Sequence, residues 1–304
     1  MKLASIDIGS NSIKLVVVEA EASTSFKVLA SEREVVRLGQ ETLVNKHIGE
    51  AAQNRAIDCL TRFGAIAKVQ GAEKIVAIAT ASVREANNAD DFLRAVEEKT
   101  GLQVEVLSGM EEARLIGLAA SQGCTPKGST SLNIDIGGGS TEISIFRDAE
   151  PIIVRSVNLG AVGLTDRFIH SDPPKETELN DLVSEIRALL AAPVNEFLKQ
   201  GWNHTTATSG TAVTIGAALS HVAPPATTAI TLGDLKRLNE TLAALTIEER
   251  RKAVSLSPQR ADIIVAGGLV LEEIMSALGI ESVQTCDWSL REGVIIDRLR
   301  ASTQ

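Results

Sequence analysis

Tyrosine is absent, and six phenylalanines and two tryptophans leave the 304-residue chain only 3% aromatic. So few flat rings exclude base stacking as a broad recognition mode. A formal net charge of −9 argues against an extended nucleic-acid surface. A polyanionic ligand would need arginines and lysines clustered locally at its site. Cysteine is scarce too: Cys59, Cys124 and Cys286 stand far apart with no Cys-x-x-Cys, so they are expected to be small core residues rather than a disulfide framework or zinc site. No apolar run reaches roughly 18 residues, the length of a membrane span, and Met1-Lys2 leads straight into a strand-like stretch. No membrane span or signal segment is expected, and the expected location is cytoplasmic. His47, His170, His204 and His221 are scattered without ligand spacing and receive no role.

What is present is an ordinary globular composition, 44% hydrophobic and 23% charged, with room for about two domains. Hydrophobic patterning predicts strands over 3–8, 13–20, 26–38, 74–79 and 103–107, with helices over 49–70 and 89–100. The small, polar stretch 121–131 reads as a linker, after which the order strand, turn, strand restarts. Strands are expected at 132–136, 141–146 and 151–157, then a long helix over 176–200 and short buried strands at 205–208 and 282–286. The chain between those last two strands reads as mostly helical, broken at Ala223-Pro224-Pro225. The predicted domains are 1–124 and 125–304.

Each half opens on the same pattern, Asp7-Ile8-Gly9-Ser10-Asn11-Ser12 and Asp135-Ile136-Gly137-Gly138-Gly139-Ser140-Thr141. An Asp ending a strand, followed by a turn of Gly, Ser and Asn, forms a hairpin whose amides and hydroxyls can surround phosphate while the carboxylate faces metal or water. Three successive glycines let a phosphate approach the backbone with no Cβ in the way. Neither copy is a P-loop, since Gly-x-x-x-x-Gly-Lys-Ser/Thr is absent and Lys14 lies inside a strand. Duplication would aim both turns into one cleft.

Ser108 and Glu111 have the spacing of a capping box at the start of a helix. Glu112 shares a helical stripe with Leu115, Ile116 and Ala119, so its carboxylate should face protein. Burial would raise its pKa and suit it to general-base work; a surface Glu paired with a nearby cation is the alternative. Arg84, just past the strand 74–79, could grip phosphate bidentately or stand solvated. Ser209-Gly210-Thr211 resembles an anion site at a helix start, before a helix over 212–219. Gly267-Gly268, before a helix over 269–278, is either another such site or a close helix contact.

These motifs, with Thr80-Ala81-Ser82-Val83-Arg84 and Leu290-Arg291-Glu292-Gly293, resemble in order and spread the exopolyphosphatase/guanosine pentaphosphate phosphohydrolase family over nearly the whole chain. The resemblance implies an α/β fold of two ribonuclease H-like domains, in the acetate kinase, sugar kinase, Hsp70 and actin superfold, around an interdomain active-site cleft. A C-terminal helix from about 290 would cross back onto the first domain. It also implies hydrolysis of a terminal phosphoanhydride, with Mg²⁺ or alternatively Mn²⁺ as cofactor. Glu112 would activate water; Asp135 and Glu142 would hold the metal with Asp7 assisting. Asn11, Ser12, Arg84, Gly137, Gly138, Gly139, Ser140, Thr141, Gly210 and Thr211 would cradle phosphate. The substrate is expected to be inorganic polyphosphate, alternatively guanosine pentaphosphate. A homodimer is implied as well, and a catalytically idle phosphate sensor is the alternative from a different functional class. Gly163 stands where many similar proteins carry Arg, so one phosphate contact is expected to be missing.

Overall fold

The computed structural model describes residues 1–21, 25–40, 42–220, 229–253, 256 and 258–301. The first lobe runs β1 (Lys2–Ile8), β2 (Ser12–Ala20), β3 (Phe26–Val35), α1 (Thr42–Asn45), α2 (Glu50–Val69), β4 (Lys74–Ala79), α3 (Ala81–Arg84), α4 (Ala89–Thr100) and β5 (Val104–Val106). A helix, α5 (Gly109–Gly123), leads to the second lobe. There follow β6 (Thr130–Ile136), β7 (Thr141–Arg147), β8 (Glu150–Val157), α6 (Ala161–Phe168), α7 (Glu176–Phe197), β9 (His204–Thr208) and α8 (Ser209–Ser220). Then come β10 (Ala229–Thr231), α9 (Leu232–Ala243), α10 (Ile247–Lys252), α11 (Ile264–Leu278), β11 (Ser282–Thr285) and α12 (Leu290–Ala301).

The two sheets repeat one topology. The first is ordered β3-β2-β1-β4-β5, with antiparallel hairpins on one side of β1 and parallel strands on the other. The second carries the same order as β8-β7-β6-β9-β11, with β10 added antiparallel at the edge. Each lobe is therefore ribonuclease H-like, and the pair forms the α/β superfold expected. Strands β1 and β6 sit centrally and bury nearly every side chain, as strands covered on both faces must. Edge strand β3 is exposed and carries Lys27, Glu32, Arg33 and Glu34, charges that blunt an open edge.

Helices α2 and α4 cover one face of the first sheet, and α7, α9 and α11 build the core of the second lobe. Between the sheets lie α5 and α12. Leu115 and Ile116 of α5 pack with Val76 and Ile78 of β4 and with Leu290 and Val294 of α12. Further along, Leu118 meets Phe146 of β7 and Ile296 of α12. Each such buried aliphatic side chain contributes about 2 kcal/mol. The helix α12 also lies on β1 and β2 through Ile295 and Leu299, so the C-terminal helix does return to the first lobe. A Cβ on Gly293 would stand 2.0 Å from the Leu115 carbonyl oxygen, which is why the two helices can approach so closely.

Several expectations change. Cys124 and Cys286 are not separate core residues: they form a disulfide, while Cys59 is free and buried. Cys124 caps α5 where the chain enters the second lobe, and Cys286 follows β11 where it leaves, so topology joins two positions that spacing cannot connect. Only half of the capping box forms, because Ser108 accepts from the Glu111 amide while the Glu111 carboxylate takes Arg114 at 2.7 and 2.8 Å. Gly267 and Gly268 lie inside α11 as close packing points, against Thr211 and Asn239. The edge strand β10 falls in a stretch read as helical. His221 and the Ala223-Pro224-Pro225 break lie outside the described residues. No helix among the described residues is long and apolar enough to cross a membrane.

Candidate active site

Strand registers make the two hairpins structural equivalents. Asp7 pairs with Lys14 across β1 and β2, and Asp135 pairs with Glu142 across β6 and β7. Both turns close through the same backbone bond, Gly9 N–H to the Ser12 carbonyl at 3.2 Å and Gly137 N–H to the Ser140 carbonyl at 2.9 Å. The turns meet tip to tip: a Cβ on Gly138 would lie 2.8 Å from the Ser10 Cβ, and one on Gly139 2.6 Å from the Ala81 Cβ. Only glycine tolerates that approach. The first amides of α6 brace the second turn, with Ala161 and Val162 donating to the Gly137 and Gly138 carbonyls at 2.9 Å.

A cleft opens between the lobes. It is lined by Asp7, Asn11, Ser12, Lys14 and Glu112 from one side and by Asp135, the turn Gly137 to Ser140, Gly210, Thr211 and Arg260 from the other. Glu112 faces it from the first turn of α5 and is 7% exposed. Burial pushes its pKa up to about 7 despite the Arg84 guanidinium, which donates to its Oε2 at 3.0 Å and lowers it; Asp7 and Asp135 add to the rise. Asp135 is gripped by two hydroxyls on Oδ2, Thr208 at 2.6 Å and Ser289 at 2.8 Å. Asp7 has Lys14 Nζ 3.8 Å away; burial raises the carboxyl pKa and lowers that of the ammonium. Glu142 lies behind the wall rather than on it, accepting from Ser156 Oγ at 2.7 Å. Burial, then Glu112 and Asp135, hold its pKa well above the usual carboxylate range.

Buried acids that resist ionisation call for a cation. Among the described residues no three His, Cys, Asp or Glu side chains are set to enclose a metal ion by themselves. Asp7 and Asp135 offer hard oxygens from opposite lobes, a donor set that suits a dication completed by phosphate oxygens and water.

Two donors in the cleft wall have no hydrogen-bond partner among the described residues. Asn11 Nδ2 is buried and unpaired, while its backbone carbonyl holds the Val36 and Arg37 amides. Arg260 is 5% exposed, its Nε is unpaired, and burial followed by the cation of Arg33 presses against its positive charge. Its guanidinium packs against Gly210, where a Cβ would come within 1.8 Å of Nη2. Ser209 beside it holds φ +79, a left-handed conformation costing about 1–3 kcal/mol, with its hydroxyl donating to the Ile136 carbonyl at 2.8 Å. Unpaired buried donors of this kind are poised for an anion.

Not every expected phosphate ligand faces the cleft. The Thr141 hydroxyl donates to the Leu159 carbonyl at 2.5 Å, and that of Thr211 turns back onto the Ile136 carbonyl at 3.1 Å. Arg84 stands behind Glu112, with Nη1 also held by the Leu107 carbonyl at 2.9 Å. Gly163 sits in α6 against Leu43, away from the cleft lining. Sequence reasoning missed Lys14, Arg260 and Ser289. Lys14 had a signal, as the one charge in the apolar run Ile13 to Val18; Arg260, at the end of a short 3₁₀ turn (Pro258–Arg260) before α11, had none.

Twin ribonuclease H-like lobes, mirrored glycine-rich turns and a cleft of buried carboxylates define a phosphate-handling protein of the actin and Hsp70 superfold. Residues 16–302 match the Ppx/GppA phosphatase family, and the chain belongs to it. Exopolyphosphatase 1 of Mycobacterium leprae is 35% identical over 98% of this chain and 90% of its own length. Exopolyphosphatase 1 of Mycobacterium bovis is 36% identical over 98% and 88%. The crystal structure of an exopolyphosphatase from Cytophaga hutchinsonii matches with a TM-score of 0.92 at 26% identity, covering 99% of this chain and 98% of that one. The Aquifex aeolicus member of the Ppx/GppA family matches with a TM-score of 0.82 at 27% identity, covering 100% and 99%.

Proposed function

We propose that this chain is an exopolyphosphatase, a phosphoanhydride hydrolase that removes the terminal phosphate of inorganic polyphosphate. The observation that carries this reading is the juxtaposition, in one cleft, of a buried base candidate, Glu112, with unpaired donors on both lobes, Asn11 Nδ2 and Arg260 Nε. Near-complete coverage by relatives named exopolyphosphatase supports the substrate class.

In this reading the terminal phosphoryl group lies between the two turns, with Asn11, Ser12, Gly138 to Ser140 and Arg260 contacting its oxygens. Glu112 orients a water and takes its proton as the water oxygen bonds to phosphorus in line with the departing chain. The bridging P–O bond breaks, and the shortened polyphosphate leaves with the bond's electrons. Arg84 holds the Glu112 carboxylate in its ionised form and in position. Asp135 and Asp7, with Glu142 behind them, would hold Mg²⁺ or Mn²⁺, which when bound neutralises charge developing on the phosphate oxygens.

Guanosine pentaphosphate is the alternative substrate for the same cleft. Relatives named exopolyphosphatase over nearly the whole chain favour polyphosphate. Phosphate release measured in parallel from inorganic polyphosphate and guanosine pentaphosphate, with and without Mg²⁺, tests the proposal. Metal-dependent release from polyphosphate is expected, with no acceptor added; release confined to the nucleotide would overturn the substrate, and tight binding without release would identify a sensor.

A further inference from the structure

We infer that Ser289 is a positioning residue, which aligns the Asp135 carboxylate through a hydrogen-bonded chain running from the first lobe into the second. This rests on the proposal above that Asp135 would hold the metal. The chain starts on the first sheet, where Arg291 Nη1 donates to the Leu15 carbonyl at 3.2 Å and to Ser31 Oγ at 3.1 Å. Arg291 Nε donates to Glu292 Oε1 at 2.7 Å, and Glu292 Oε2 receives the Ser289 amide at 3.0 Å. Ser289 Oγ then donates to Asp135 Oδ2 at 2.8 Å. Beyond Asp135 the path continues through Thr208, which also receives Asn133 Nδ2 at 3.2 Å, into the centre of the second sheet. Glu292, Ser289, Asp135, Thr208 and Asn133 are all at most 8% exposed, so water does not substitute readily along this path.

The placement has a local origin. Ser289-Leu290-Arg291-Glu292 has the Ser-x-x-Glu spacing of a helix start, and Glu292 returns to the Ser289 amide as the third residue of a capping box does. The Ser289 hydroxyl, which in such a box serves its own helix, reaches Asp135 instead. Since α12 packs on the first lobe, that bond ties the orientation of a second-lobe carboxylate to the position of the first. Both hydroxyls converge on Oδ2 and so restrain the Asp135 carboxylate. Partners of this kind change activity about 10–100-fold when removed.

The test compares Ser289→Ala, Ser289→Thr and Asp135→Asn in the full-length protein, with steady-state kinetics on polyphosphate of defined length, thermal melts, and a crystal structure of Ser289→Ala. The expected result is a kcat lowered about tenfold or more in Ser289→Ala with KM within about twofold. The Asp135 carboxylate is expected to rotate in that crystal structure, and Ser289→Thr to recover most of the turnover. A capping role alone would lower the melting temperature and leave kcat and the carboxylate unchanged, which overturns the inference. Wild-type turnover in Asp135→Asn would instead remove the metal-holding reading of Asp135 itself, and Ser289's role with it.

Discussion

Glu112 is under opposing influences, with burial and two nearby carboxylates favouring its protonated form and Arg84 favouring its charged form. A general base works only when ionised, so kcat/KM should rise with pH through the neutral region and level off above it. Arg84→Ala removes the cation that lowers this pKa, and the acid limb should move up by about one pH unit or more; a limb that stays in place would contradict the pairing. Glu112→Gln should cost about 10²–10⁴-fold in turnover and leave polyphosphate binding nearly intact, measured by phosphate release and by calorimetry. Legibility at this scale followed local pattern. That Asp7, Asp135 and Glu112 would face one cleft was readable because each sits at a fixed offset in a short motif. Arg260 was not, because its meaning depends on packing against Gly210, which is distant in sequence but adjacent on the same wall of the cleft.

Strands and helices were largely readable, since β1, β2, β4, β6 and β7 and helices α2, α4 and α7 fall close to where apolar periodicity puts them. The short helix α6 was not expected as an element; its first amides are fixed by the Gly137 and Gly138 carbonyls, a tertiary support with no local signature. The contact between the two turns yields an element-scale prediction. Gly138→Ala would bring a methyl group within 2.8 Å of the Ser10 Cβ and 3.2 Å of Val162, forcing the turns apart. The expected stability loss is about 1–3 kcal/mol by denaturant unfolding. A drop of at least about tenfold in turnover should accompany it, because positioning errors of an ångström carry penalties of that order or more. Unaltered turnover in a folded Gly138→Ala protein would argue that the turns need not touch.

The whole molecule is two lobes joined by two chain crossings, and Cys124–Cys286 bonds one crossing to the other. The residues they bridge are 162 positions apart, so in the chain-entropy account the link restricts the unfolded state by about 5 kcal/mol. Reduction, or Cys124→Ser, should therefore lower the melting temperature by several degrees, and identical melts before and after reduction would show that the link contributes nothing. In a reducing compartment the thiol form would prevail, so a non-reducing peptide map of protein taken from cells reports which state exists there. Repetition of the strand order was visible in the sequence; the return of α12 came only as what the family resemblance implies, and the packing of α5 against it between the sheets had no local signal, because it depends on close contacts such as that of Gly293 with Leu115. The account as a whole depends on Glu112 acting on solvent at an anhydride held between the two turns. The most direct measurement is phosphate release from polyphosphate in Mg²⁺ by the wild-type protein and by Glu112→Gln side by side. Steady release by the first and near-complete loss in the second is the predicted result, and equal rates from the two would contradict it.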